Sequence, residues 1–315
     1  MKKAKTKNAK TALLIGVDVG NGDTKTAETK MGTGIKQVQD SAVAQNVLKM
    51  DGDTYIIGED HIDYDEDRTV DEHYRLMTCQ AIANELHANG EKEGLHEIYL
   101  GVGVPFQHWS AMKDKLKEYF MEKPIMNFVS NNRKYTIKIS EVSVMPQGYS
   151  AIAMELGRYR GLTWIVDIGN GTLDCIMLKE GVANETNSFT EKLGTFQCYL
   201  LAKKRIKDRT MKDLSYEAFE NYVIYGDEEL RLPKEWKKSI DDAVHEYCRQ
   251  VFSVLRERGY SEEYTKLVFM GGGAELVRKY CDTPYEYEFI LDVHANAKGY
   301  EEFYYKNLQR KGEIL

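Results

Sequence analysis

Val17-Asp18-Val19-Gly20-Asn21-Gly22 and Val166-Asp167-Ile168-Gly169-Asn170-Gly171 are almost the same hexapeptide, differing only by Val for Ile at the third position. Each follows an apolar run, Ala12-Leu13-Leu14-Ile15 in one case and Thr163-Trp164-Ile165 in the other, of the kind that reads as a buried strand. Each is followed by a strand-like stretch, Thr24-Lys25-Thr26-Ala27 and Leu173-Asp174-Cys175-Ile176-Met177-Leu178. Strand, D-x-G-x-G turn, strand describes a hairpin suited to holding phosphate. Two such hairpins in equivalent contexts predict an internally duplicated α/β fold.

The intervening sequence fits that plan. A helix from about Arg75 to His87 stops at Asn89-Gly90, a C-terminal signal. Ile98-Tyr99-Leu100-Gly101-Val102-Gly103-Val104 is a second buried strand, and Tyr135, Ile137 and Ile139 alternate with polar residues as a half-exposed strand does. Pro146 precedes an expected helix carrying Ile152, Met154 and Leu156 that ends near Gly157. In the second half, Ile240, Val244, Tyr247, Val251 and Leu255 recur at helical spacing up to Gly259, and Lys266-Leu267-Val268-Phe269-Met270 is a strand delivering the chain to Gly271-Gly272-Gly273. The acidic stretch from Glu59 to Glu72 reads as a solvated loop, and Lys2-Lys3-Ala4-Lys5-Thr6-Lys7 as a disordered basic end.

Composition narrows the function classes. The 315 residues are 42% hydrophobic, enough for a sizeable core, and 43 Lys and Arg against 50 Asp and Glu give a net charge of −7. That balance argues against a general nucleic-acid or membrane surface. The five cysteines (Cys79, Cys175, Cys198, Cys248 and Cys281) form no C-x-x-C pair, and the histidines form no H-E-x-x-H, so no zinc site or disulfide framework is expected. With no apolar leader and no span near 20 apolar residues, a soluble, cytoplasmic setting is expected. The 21 tyrosines read as core and rim packing.

A phosphate tail needs close backbone approach, N–H donors and a compensating cation. Gly20, Gly22, Gly169 and Gly171 lack a Cβ and allow that approach. Asn21, Thr24 and Thr172 add short polar side chains, and Lys25 can return over its hairpin to the phosphates. Asp18 and Asp167 stand at strand ends and are expected to face the same gap. Mg²⁺ keeps several waters and takes few protein carboxylates, so both aspartates are assigned to hydrated Mg²⁺. Gly271-Gly272-Gly273-Ala274-Glu275-Leu276 opens a helix where small residues let a purine lie against backbone; no G-K-[ST] follows and G-x-G-x-x-G is absent.

Two phosphate loops followed by a Gly-Gly-Gly-Ala loop, in this order, resemble the actin, sugar kinase and heat-shock chaperone superfamily from Thr11 onward. Pro146-Gln147-Gly148-Tyr149, Leu173-Asp174, Leu193-Gly194-Thr195 and Asn296-Ala297-Lys298-Gly299-Tyr300 are most similar to the bacterial actin-like plasmid-partition proteins of the ParM/StbA type. The resemblance implies two actin-like (ribonuclease H-like) domains with a nucleotide cleft between them. The first takes residues 1–160, with a C-terminal helix over 296–315 packing back on it; the second takes 161–295. Asp18, Asn21, Gly22 and Lys25 then match the first phosphate loop, and Asp167, Gly169, Asn170, Gly171 and Thr172 the second. Asp174 matches the acidic residue that closes the second loop, and Gly271, Gly272 and Gly273 match the base and ribose loop. Related proteins place a water-positioning Glu or Gln near the proline before the second loop. The candidates here are Gln147 and Glu141, and Gln147 suits a slow hydrolase because it can orient a water but is a poor base.

The implied activity is hydrolysis of ATP or GTP with Mg²⁺, coupled to head-to-tail filament assembly that segregates plasmid or other DNA through a DNA-bound adaptor protein. No direct nucleic-acid or membrane contact is expected. The rivals are a small-molecule, sugar-type kinase and a chaperone-like ATPase. The first lacks an obvious sugar-binding segment here, and the second a peptide-binding appendage, since only one amphipathic stretch (Phe303, Tyr304, Leu308) follows Gly299.

Overall fold

The computed structural model describes residues 2–5, 11–39, 44–58, 69–226, 231–281 and 287–311. Its contacts divide the chain into two units, Met1–Leu156 with Val293–Leu315, and Gly157–Asp292.

The first unit runs β1 (Lys2–Lys5), β2 (Thr11–Val19), β3 (Asp23–Lys25), β4 (Lys30–Gly32), β5 (Ile35–Val38), β6 (Val47–Met50), β7 (Asp53–Ile57), α1 (His73–Ala88), β8 (Gly94–Val104), α2 (Trp109–Glu122), β9 (Ile125–Ser130), β10 (Arg133–Pro146) and a single turn α3 (Tyr149–Ile152). The second runs β11 (Leu162–Ile168), β12 (Leu173–Lys179), β13 (Val182–Glu191), α4 (Thr195–Thr210), α5 (Tyr216–Tyr225), α6 (Lys234–Glu257), β14 (Thr265–Met270), α7 (Ala274–Tyr280) and β15 (Glu288–Ile290). The last helix, α8 (Ala295–Lys311), belongs to the first unit.

Each unit is built on one sheet. In the first the order is β4-β3-β2-β8-β10-β9-β6-β7-β5, and in the second β13-β12-β11-β14-β15. The run β4-β3-β2-β8-β10 repeats in β13-β12-β11-β14-β15 down to strand direction. The first two pairings are antiparallel and the next two parallel in both. The duplication anticipated from two hexapeptides is therefore a duplication of a five-strand sheet. Strands covered on both faces read as continuous apolar runs, which is why these were legible.

The first core lies on one face of its sheet, where Leu13, Ile15 and Val17 of β2 and Ile98, Leu100 and Val102 of β8 meet Met77 and Leu86 of α1 and Leu116 and Phe120 of α2. Alternation sends the other half of each strand to the opposite face. There Leu14 packs with Tyr304 and Leu308 of α8, each large apolar side chain contributing about 1.5–3 kcal/mol through burial. Gly16 and Gly101, directly paired across β2 and β8, form the floor beneath this helix. In the second unit, Trp164, Val166 and Ile168 of β11 and Phe269 of β14 pack with α4 and with Ile240, Val244, Tyr247, Val251 and Leu255 of α6, the helical stripe seen in the sequence.

Several expectations are corrected. Lys2–Lys5 is not a loose end: its backbone pairs antiparallel with Thr11–Leu14, on the stretch of β2 that β3 leaves uncovered. The helix after Pro146 is one turn, and Met154 lies beyond it, exposed; Ala153 and Glu155 close short i−3 bonds to Ser150 and Ile152 in place of the α-helical ladder. The C-terminal helix starts at Ala295, against 296 expected, residues 312–315 lie outside the described residues, and Phe303 is only half-buried. Of the acidic stretch, residues 59–68 lie outside the described residues. At its end Glu72 is exposed, as expected of a solvated stretch, and its carboxylate accepts from buried Arg75 at 2.7 and 2.9 Å. None of the five cysteines is in a disulfide, and four of them are buried.

Candidate functional site

The two repeated hairpins fold alike. In the first, Gly20 N–H donates to the Asp23 carbonyl at 3.0 Å and Asp18 stands opposite Lys25. In the second, Gly169 N–H donates to the Thr172 carbonyl at 2.9 Å and Asp167 stands opposite Asp174. One register thus places a cation facing the first aspartate and an acid facing the second.

In the first hairpin Asn21 and Gly22 are half-buried at the turn, and Thr33 N–H donates to the Gly22 carbonyl at 2.8 Å. Lys25 lies 3.8 Å from Asp23, its ion-pair partner on the same hairpin. Thr24 does not line the loop, contrary to expectation. It points into the core, where its hydroxyl meets that of Thr33 at 2.9 Å, because alternation along β3 turns residue 24 inward. Asp18 is buried and accepts from three neutral donors: Gln147 Nε2 at 2.7 Å and the Tyr300 hydroxyl at 3.1 Å, both on Oδ1, and Asn296 Nδ2 at 3.5 Å on Oδ2. A carboxylate only accepts, so the amide nitrogen of Gln147 must face it, which turns the amide oxygen away. Glu141 lies elsewhere, beyond a bulge in β10, in a hollow of about 410 Å³ lined also by Lys113, Lys117 and Arg310.

In the second unit three segments converge. The carbonyls of Gly169, Asn170 and Gly171 accept from the N–H groups of Thr195 (3.0 Å), Phe196 (2.9 Å) and Gly194 (3.3 Å), so the loop itself caps α4, whose N-cap Gly194 offers no side chain. In a planar trans peptide the carbonyl and the following N–H point in opposite directions. The N–H groups of Asn170, Gly171 and Thr172 therefore point away from α4. The glycine run closes the other side. Gly273 N–H donates to the Ile168 carbonyl at 2.9 Å, a Cβ at Gly271 would fall on the Asp167 carboxylate, and one at Gly273 on the Ile168 side chain. Only Gly272 looks onto open space, so two of the three glycines serve packing against β11.

Asp174 is buried and accepts from Thr172 Oγ1 at 2.9 Å and Thr190 Oγ1 at 2.5 Å. With its proton committed to Asp174, the Thr172 hydroxyl can only accept from anything further. Asn170 Nδ2 donates to the Tyr216 hydroxyl at 2.6 Å, while its Oδ1 is buried with no hydrogen-bond partner. Sequence reasoning gave no role here to Thr190, Tyr216, Asn296 or Tyr300. For the last two the signal was present, since positions i and i+4 share one helix face.

Among the described residues, no group of three or more His, Cys, Asp or Glu is placed to hold a metal ion, and no helix is long and apolar enough to cross a membrane.

A sheet core used twice, each copy with a D-x-G-x-G hairpin on its first two strands, defines an actin-like architecture. The comparisons agree: residues 16–149 match the N-terminal domain of the actin-like proteins, and residues 165–282 match the C-terminal domain of the archaeal actin homologue, MreB-like family. The chain belongs to the actin-like proteins. Its fold is similar to that of the archaeal actin homologue Ta0583, with a TM-score of 0.74, 16% identity and cover of 94% of this chain and 99% of the other. Ta0583 is also known as a complex with ADP, at TM-score 0.73, 15% identity and 93% and 99% cover. ParM from Bacillus thuringiensis with AMPPNP is similar at TM-score 0.68, with 16% identity over 96% of this chain and 100% of the other. No curated protein sequence matches the chain.

Proposed function

We propose that the chain binds a nucleoside triphosphate with Mg²⁺ through its two phosphate loops, hydrolyses it, and uses the cycle to assemble and dismantle a head-to-tail filament that moves DNA cargo through an adaptor. The observation that carries this reading is the second loop, whose three consecutive N–H groups are turned one way because the carbonyls preceding them cap α4. Successive N–H groups of that kind form an anion cradle. The buried, unpartnered Asn170 Oδ1 suits a ligand that donates, such as a nucleotide hydroxyl or a metal-bound water.

The donor set also fits Mg²⁺, which keeps much of its water and takes one or two carboxylates. Asp18 and Asp167 are the residues that would hold it, and the ion would neutralise charge on the phosphates. The work of the chain is positional. Lys25 adds a cation to the first loop, and Thr172, its proton held by Asp174, accepts from a bound water. Gln147, its nitrogen fixed on Asp18, offers an amide oxygen that can orient the attacking water without removing its proton outright. Assembly follows from geometry once the subunit is fixed by nucleotide, since a head-to-tail contact that does not close gives an open polymer. Fold likeness to ParM, together with the ParM-type motifs around Pro146, Leu173, Leu193 and Asn296, favours this over a kinase or chaperone-like ATPase.

The test is sedimentation and light scattering of the purified protein with Mg²⁺ and ATP, GTP or ADP over a concentration series. Scattering that needs a triphosphate, begins above a critical concentration and decays with phosphate release is the expected result. Equal nucleotide affinity and turnover in Asp167→Ala would overturn the site assignment. Tight binding without assembly at any concentration would overturn the filament.

A further inference from the structure

We propose that Tyr300 and Asn296 of α8 are positioning residues for Asp18, setting which of its two oxygens faces a ligand. This rests on the reading that Asp18 serves the nucleotide and its metal. Oδ1 receives Gln147 at 2.7 Å and Tyr300 at 3.1 Å, while Oδ2 has only the 3.5 Å contact from Asn296. All three donors are neutral and two of them converge on Oδ1, so Oδ2 is the oxygen left to a cation's water.

Helix α8 is built into place to do this. Leu14, Gly16 and Asp18 alternate onto the face of β2 that receives it, and Tyr99, Gly101 and Gly103 do the same on β8. A Cβ at Gly103 would fall on the Tyr300 hydroxyl, and one at Gly16 on the Ala297 carbonyl. A third close approach is at Gly299, against the Ser150 carbonyl. Buried Glu301 accepts from the Gly16 N–H at 3.1 Å, pinning the helix one residue beyond Tyr300. Asn296 is fixed from its other end, its Oδ1 accepting from Gly148 N–H at 2.8 Å. Gly148 has φ of 72° and follows Gln147 directly, so Asn296 joins the backbone carrying Gln147 to the carboxylate that Gln147 contacts. Asp18 and Gln147 are thus registered to each other through α8.

The experiment titrates Mg²⁺ against binding of a fluorescent ADP analogue for the parent, Tyr300→Phe, Asp18→Asn and the double variant, with apo melting temperatures alongside. Tyr300→Phe removes one oxygen from a buried ring. It is expected to melt near the parent, to bind the analogue equally well in EDTA, and to need about 10- to 100-fold more Mg²⁺ for half-maximal binding, as for other groups that orient a metal-binding carboxylate. In Asp18→Asn the same change should add nothing, because the two act as one unit. An unchanged Mg²⁺ requirement in Tyr300→Phe, or an equal effect with and without Asp18, overturns the positioning role and leaves the site assignment standing. No effect of Asp18→Asn itself overturns both. If Tyr300→Phe does not fold, Asn296→Ala is read by the same criteria.

Discussion

Asp174 stands directly across the second hairpin from Asp167, and its two oxygens accept the hydroxyls of Thr172 and Thr190. Two carboxylates facing one another repel, and the threonine protons offset part of that charge. Asp174→Asn should therefore misorient Thr172 more than it weakens nucleotide binding. Turnover should fall about 10- to 100-fold with nucleotide affinity changed much less, as expected when an orienting partner is lost. Thr190→Val should lower stability by about 1–3 kcal/mol through loss of its hydrogen bond to the buried carboxylate, measured by urea unfolding.

Gln147→Ala should retain nucleotide affinity and lose about tenfold or more in single-turnover phosphate release, the scale of a positioned group that assists proton movement. Glu141→Ala, in the hollow with Lys113 and Arg310, should leave the rate unchanged. The reverse pattern would reassign the water-positioning role.

The glycine run separates packing from ligand contact. Gly271→Ala places a side chain at φ of 80° and against Asp167, and Gly273→Ala drives one into Ile168. Each should destabilise by about 1–3 kcal/mol or more, as overpacking does. Gly272→Ala meets nothing within 4 Å and should leave the apo melting temperature near the parent value. If it weakens nucleotide binding at the same time, Gly272 is the ligand-facing glycine of the three.

Burial raises the thiol of Cys79 to about 12 from 9.0, and raises those of Cys175 and Cys198 and the phenols of Tyr119 and Tyr247 above their ordinary values. Unfolding frees these protons, so between the ordinary and raised values the unfolded chain binds fewer, and stability falls as pH rises. Stability should thus be flat up to about pH 9 and decline above it, followed by denaturant midpoints across pH. At pH 8 a thiol reagent should label Cys281, the half-buried cysteine, well before the other four.

What the sequence revealed follows from the range of the forces involved. Apolar runs, turn glycines and helix stops are local, and they placed β2, β11, α1 and α6 to within a few residues. The hexapeptides exposed the duplication because one hairpin register needs the same residues twice. Thr24 was misread because its neighbours say that it lies near a turn, while the pleat decides which way it points. The partnership of Asp18 with Tyr300 spans 282 positions and leaves no local mark. Beyond the i, i+4 spacing of Asn296 and Tyr300, its trace was in Gly16, Gly101 and Gly103, strand glycines that signal a close approach without naming what approaches.

Because α8 lies at the far end of the chain from β2, the first unit is not closed when its own strands have been made. Synthesis proceeds at about 5–20 residues per second, and the chain emerges from its N-terminus. The whole of Gly157–Asp292 is therefore translated before Tyr300 can reach Asp18. A nascent chain halted before α8 would carry both hairpins yet leave the floor at Gly16 and Gly101 bare to solvent. The order of synthesis thus acts as a timer that delays completion of the Asp18 carboxylate's surroundings until the second unit has been made.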